Sequence, residues 1–140
     1  MSGLLIYTDG ACSGNGTCRA RAGWGYLAEL EDQELSRQGK VPGKQSNNRA
    51  ELYAVLKALK LVKQLNQEKG LKQAKILSDS KILVDGVYGR AKRASNRDIW
   101  DPIEALFEDL NGVVSLSVEH IPSKENKADG AAKEASLSLL

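Results

Sequence analysis

Two short apolar runs that each stop on an aspartate, with an amphipathic helical pattern between them, constrain this chain more than any other feature. The first run is Leu4-Leu5-Ile6-Tyr7-Thr8, before Asp9. The second is Ile76-Leu77-Ser78, before Asp79. Between them Leu52, Val55, Leu56, Leu59 and Val62 recur at three- and four-residue spacing, while Lys57, Lys60 and Lys63 fall elsewhere. That period reads as a helix over residues 47–65. A strand, a helix and a strand in this order suggest a parallel addition to a sheet. If the two strands are neighbours, Asp9 and Asp79 meet at one sheet edge, where ligands of open α/β sheets bind.

The remaining pattern fills in a mixed sheet flanked by helices. Residues 4–8 read as a buried strand, and residues 10–22, with Gly10, Gly14 and Gly16, as loop or turn. Residues 24–30 read as a strand, Glu31-Asp32-Gln33 as a hairpin turn, and residues 34–41 as a polar edge strand before Pro42-Gly43. Asn48 followed by Glu51 matches a capping box. After Gly70 come a strand over 74–78 and a short helix from Ser80, with Ile82, Leu83 and Val87 apolar. A second helix spans 99–110, with Ile103, Leu106, Phe107 and Leu110 at helical spacing and Pro102 in its first turn. Residues 113–121 alternate as a strand, and Ser123 is placed to cap a last helix to 137. The order is β-β-β-α-β-α-α-β-α, an antiparallel meander followed by parallel strands in one α/β domain over residues 1–140.

The chain's 140 residues suffice for one domain with a real core. The net charge is only +2, so any nucleic-acid role must rest on local patches. The N-terminus lacks a basic region and its apolar run is broken at Thr8-Asp9, so no signal peptide is expected. No apolar stretch is long enough to span a membrane. The expected setting is the cytoplasm, and the expected state a monomer. Cys12 and Cys18 are read as free thiols in a reducing compartment rather than as a small disulfide loop.

Two further acids carry the chemistry. Glu51 lies in the first turn of the 47–65 helix, and Asp129 in the last helix, within Glu125-Asn126-Lys127-Ala128-Asp129. Any one of the four has a plain alternative: Asp at a strand end as a turn-former, Glu51 as a cap, Asp129 as a solvated helix position. Converging carboxylates repel one another, and hard divalent cations relieve that repulsion. Carboxylate, water and phosphate oxygens suit Mg²⁺ or Mn²⁺.

In their local words the four acids resemble type 1 ribonuclease H. Tyr7-Thr8-Asp9-Gly10-Ala11-Cys12-Ser13-Gly14-Asn15-Gly16 is similar to that family's first-strand motif, and Ser46-Asn47-Asn48-Arg49-Ala50-Glu51 to its first-helix motif. Ser78-Asp79-Ser80 is similar to the third, and Glu125-Asn126-Lys127-Ala128-Asp129 to the fourth. The resemblance runs in order over nearly the whole chain. It implies a ribonuclease H-like fold, a five-stranded mixed sheet in the order 3-2-1-4-5. It implies hydrolysis of the RNA strand of RNA/DNA hybrids, leaving 5′-phosphate and 3′-hydroxyl ends. Two Mg²⁺ or Mn²⁺ ions, held by Asp9, Glu51, Asp79 and Asp129, would activate the water and stabilise the leaving oxygen.

The resemblance also assigns substrate contacts. Cys12, Gly14 and Asn15 would lie along RNA 2′-hydroxyls, the groups that distinguish RNA from DNA. Asn47 and Asn48 match hybrid contacts, with helix capping as the equal alternative. Lys44, Ser46 and Asn96 match a pocket for a DNA phosphate, and Lys44 acts there as a point charge where an Arg is common. Arg90, Lys92, Arg93 and Arg97 form a short basic stretch, either a phosphate-backbone contact or a solvated face. Tyr88 and Trp100 flank it as stacking candidates, Trp100 equally as core.

Three departures stand out. His120 is the sole histidine and sits before Pro122-Ser123-Lys124, where relatives carry a longer loop with a histidine. It is read as structural. The helical protrusion of many relatives is missing, and Asn126 is one residue closer to Asp129. Two rival readings are a non-catalytic hybrid-binding module and a DNA-cutting nuclease of the wider superfamily. The full set of acids argues against the first, and the Gly-rich loop and compact length against the second.

Overall fold

A computed structural model describes residues 3–14, 19–89 and 95–137. The strands are β1 (Gly3–Ser13), β2 (Arg21–Leu30), β3 (Gln33–Lys40), β4 (Gln73–Ser78) and β5 (Ser115–His120). The helices are α1 (Asn47–Lys69), α2 (Lys81–Val87), α3 (Arg97–Leu110) and α4 (Ala131–Leu137), with a 3₁₀ turn at Ser123–Glu125. The sheet order is β3-β2-β1-β4-β5. β1, β2 and β3 pair antiparallel, and β4 and β5 join β1 in parallel. The expected fold and strand order are therefore both present.

The core lies between the sheet and α1 with α3. Ile6, Ile76 and Val118 are adjacent in register on β1, β4 and β5 and are essentially inaccessible. They meet the helical stripe of Leu52, Val55, Leu56, Leu59 and Val62, all buried as their spacing predicts. α4 packs across β1, β2 and β3. A Cβ on Gly23 of β2 would stand 2.4 Å from Ala132 O, so only glycine lets α4 lie this close.

Several local expectations are corrected. β1 does not stop at Asp9: residues 10–13, expected as loop, continue it by pairing with residues 21–24 of β2. Their small and polar residues hide strand character that comes from the partner. The cap of α1 is Ser46, whose Oγ accepts from Arg49 N at 3.2 Å, not Asn48. α3 starts at Arg97, which puts Pro102 in its second turn rather than its first. The last helix starts at Ala131, so Asp129 stands in the turn before it and not in a helix. Ile82, one of the apolar positions of α2, is 69% exposed, while Leu83 and Val84 are buried. Trp100 is core, with its ring against Gly86. No helix among the described residues is long and apolar enough to cross a membrane.

Candidate active site

The acids converge where the parallel part of the sheet ends. The last parallel pair of β1 and β4 is Thr8 with Ser78, so Asp9 and Asp79 are the next residues on adjacent strands. Thr8 locks these ends together, its Oγ1 donating to Leu77 O at 2.8 Å in full burial. Glu51 arrives from α1 because Gly10 has no side chain. A Cβ there would lie 2.2 Å from Glu51 N and 2.3 Å from Ala50 C. The first turn of α1 thus rests directly on β1, and with Ser46 as the cap, the Glu51 carboxylate is released to face Asp9.

One oxygen from each of Asp9, Glu51 and Asp79 lies within 4.8 Å of the others. Asp9 and Glu51 are each only 7% exposed. Burial raises the Asp9 carboxyl to about 7, the Asp79 charge adding to it, Gly10 N–H opposing and Asp129 contributing least. Burial likewise raises Glu51 to about 9, with Asp9 and then Asp79 adding and Gly10 N–H opposing. Glu51 Oε2 is buried with no hydrogen-bond partner. An unpaired buried carboxylate oxygen is costly, and a hard cation among three carboxylates would satisfy it. The residues present therefore fit a divalent ion. Asp129 is exposed on its turn and stands outside the tight trio, near enough for its charge to reach Asp9.

Asn126 is a site residue whose role its sequence context does not disclose. It is 5% exposed, and its Nδ2 donates to Thr8 O at 2.8 Å and to Asp79 Oδ2 at 3.4 Å. Its Oδ1 accepts from Ala128 N at 3.0 Å. One side chain thereby ties β1 at Thr8, Asp79 and the Asp129 turn together. Lys127 fastens the same turn to the sheet, its Nζ 2.9 Å from Glu29 Oε2 and 5.5 Å from the Tyr7 ring centroid.

The other expected contacts surround this trio. Cys12 is half-buried near the end of β1 with a free thiol, and Gly14 follows it with φ +67°. Asn47 and Asn48 open α1, both exposed. Lys44 is exposed, Ser46 and Asn96 half-buried. Arg97 is engaged with Asp101 and Glu104 along α3, as a solvated helix face would have it. Asn15, Cys18, Arg90, Lys92 and Arg93 lie outside the described residues. Tyr88 is half-exposed and its hydroxyl accepts from Val118 N at 2.9 Å. His120 is exposed at the end of β5, opposite Ser78.

Arg49 sits three residues before Leu52 on the buried stripe of α1. A charge there calls for a partner. Its guanidinium is paired bidentately with Asp98, at 2.8 and 2.9 Å.

Known proteins agree with this architecture. The family model for RNase H matches residues 1–136. A Ribonuclease H of Prosthecochloris aestuarii (strain DSM 271 / SK 413) is 30% identical, covering 94% of each chain. Ribonuclease H1 of Mus musculus is 43% identical over 63 residues, which is 45% of this chain but only 22% of that protein's length. Among solved structures, LC11-RNase H1 in complex with an RNA/DNA hybrid superposes with a TM-score of 0.79 at 25% identity, covering 95% of this chain and 96% of that one. With a family model spanning nearly its full length and a relative matched almost end to end, this chain belongs to the RNase H family.

Proposed function

We propose that this protein hydrolyses the RNA strand of RNA/DNA hybrids, using divalent ions held by Asp9, Glu51, Asp79 and Asp129. The observation that carries the reading is the trio of carboxylates within 4.8 Å, with a buried Glu51 oxygen that nothing in the protein satisfies. Two bound Mg²⁺ or Mn²⁺ ions would supply an activated water and stabilisation of the leaving oxygen, giving 5′-phosphate and 3′-hydroxyl ends.

The protein's own part is binding and placement. Gly10 lets α1 approach, Thr8 bonds β1 to β4, and Asn126 joins Thr8 O to the Asp79 carboxylate. Cys12, Gly14 and Asn15 serve the RNA strand, together with Asn47 and Asn48 of the α1 N-terminus. Backbone and amide groups there would read 2′-hydroxyls, which DNA lacks. Lys44, Ser46 and Asn96 serve the DNA strand as a phosphate pocket. A hydroxyl both accepts and donates, so the capping bond of Ser46 uses an acceptor site and leaves its O–H for phosphate. Arg90, Lys92, Arg93 and Arg97 add positive charge along the backbone, with Arg97 shared among its acidic neighbours. The protein acts as a cytoplasmic monomer, with residues 1–140 as its catalytic domain.

Parallel digestion of end-labelled hybrid, duplex RNA and duplex DNA tests this, with Mg²⁺, Mn²⁺ or a chelator. Cleavage is expected only of the RNA in the hybrid, only with metal, and with 3′-hydroxyl ends. Cutting of duplex DNA at a comparable rate would favour the DNA-nuclease alternative.

A further inference from the structure

We propose that Arg49 is the positioning residue of the DNA-phosphate pocket. It fixes the spacing of the two chain segments that form the pocket and the orientation of the amide that Asn96 offers. This rests on the reading of Lys44, Ser46 and Asn96 as that pocket.

The two segments are far apart in sequence and meet at one guanidinium. Arg49 Nη2 donates to Pro42 O at 2.8 Å, on the loop that carries Lys44. Nη1 donates to Asn96 Oδ1 at 3.3 Å, and both terminal nitrogens engage Asp98. The planar fork is what allows one side chain to hold three partners at fixed angles, which an ammonium cannot do. Gly43 is shaped around it, with φ +77° and a would-be Cβ 3.0 Å from Nη2.

Asn96 is held in a conformation that its helix does not require. It caps α3 through its backbone, its carbonyl accepting from Ile99 N and Trp100 N, with φ +61° and no side-chain cap bond. The side chain instead meets Arg49. Arginine only donates, so the atom facing it is the amide oxygen, and the Nδ2 end is left to donate. A donor is what a phosphate oxygen needs. Without Arg49 the amide is at liberty to present either end.

Stability alone does not call for this arrangement. Arg49 is 4% exposed, and its Nε is buried with no partner. Its ion-pair partner Asp98 is exposed, and an ion pair open to solvent on one side contributes little to stability. A fork kept at the expense of an unsatisfied Nε is better explained by what it holds in place.

The test is steady-state cleavage of a defined hybrid by wild type, Lys44→Ala, Arg49→Met, Arg49→Lys, Asp98→Asn and the Lys44→Ala/Arg49→Met double variant, with thermal melts of each. Arg49→Met is expected to raise KM about tenfold with kcat within about twofold, Arg49→Lys to recover little of this, and the double variant to be no worse than the stronger single one. Asp98→Asn keeps the buried cation, leaves its exposed partner neutral, and carries the test if Arg49→Met does not fold; it too should raise KM selectively. Multiplying effects in the double variant, or a fall in kcat at unchanged KM, would overturn the positioning role while leaving the pocket standing. An unchanged KM in Lys44→Ala would remove the pocket itself, and the role with it.

Discussion

Replacing Glu51 with Gln should stabilise the metal-free protein even though it takes a ligand from the site. Burial first, then the Asp9 and Asp79 charges, raises this carboxyl from 4.5 to about 9. Between those values the folded protein holds a proton that the unfolded chain releases. Its contribution is therefore complete below the unfolded value and is lost as pH rises through the folded one. At about pH 7.5 some three pH units of this have accumulated, a ceiling of about 4 kcal/mol at about 1.4 kcal/mol per unit. Gln is similar in size and has no proton to lose. Relaxation and water entry lower the realised gain to about 1–3 kcal/mol, or about 3–9 °C in Tm for a chain of this length. The assay is circular-dichroism melting in chelator at about pH 7.5 and about pH 4.5, where the linkage predicts the gain at the higher pH to shrink towards zero at the lower. Added Mg²⁺ should raise the Tm of the wild type more than that of the variant. A Gln variant less stable than wild type at both pH values would refute the view that burial and repulsion strain this cluster.

Three further outcomes follow from the same geometry. Gly10→Ala should destabilise by about 2–3 kcal/mol and cut activity at least about tenfold, because its Cβ displaces the α1 turn that carries Glu51; chemical denaturation and hybrid cleavage measure the two effects. Asn126→Ala should cost about 1–3 kcal/mol and weaken divalent-ion affinity about tenfold, since Thr8 O loses its donor and Asp79 its support; calorimetric titration reads the affinity. Divalent ions should bind more tightly as pH rises from about 6 to about 8, because Asp9, at about 7, and Glu51, at about 9, must give up protons to bind. Titration in two buffers of different ionisation enthalpy would register proton release, and pH-independent binding would contradict it.

Long-period features were legible in the sequence, and features made by partners were not. The stripe from Leu52 to Val62 and the runs ending at Thr8 and Ser78 place α1, β1 and β4, and with them the meeting of Asp9 and Asp79. Residues 10–13 read as loop because glycine, alanine and serine carry no strand preference, and β2 supplies it. Asn48 and Glu51 imitate a capping box, but Ser46 reaches Arg49 N first and leaves Glu51 to the site. The start of α4 is delayed past Asp129, because the Asn126 side chain already accepts from Ala128 N and shapes a turn there. Arg49 and Asn126 act through partners distant in sequence, Asp98 and Thr8, and no local pattern announces those contacts.

Cleavage of one end-labelled RNA/DNA hybrid in Mg²⁺ by wild type and by Asp79→Asn, at equal concentration and purity, tests the central claim most directly. Asp79 is half-buried at the sheet edge and its charge adds to the repulsion on Asp9 and Glu51, so the variant should keep the wild-type fold and melt, without metal, no lower than the wild type. The wild type should cut the RNA strand, and Asp79→Asn should fall by about a thousandfold or more, to background, on loss of a group that holds the ions. A folded Asp79→Asn protein that still cuts the hybrid at the wild-type rate would contradict the assignment of this acid cluster as the catalytic centre.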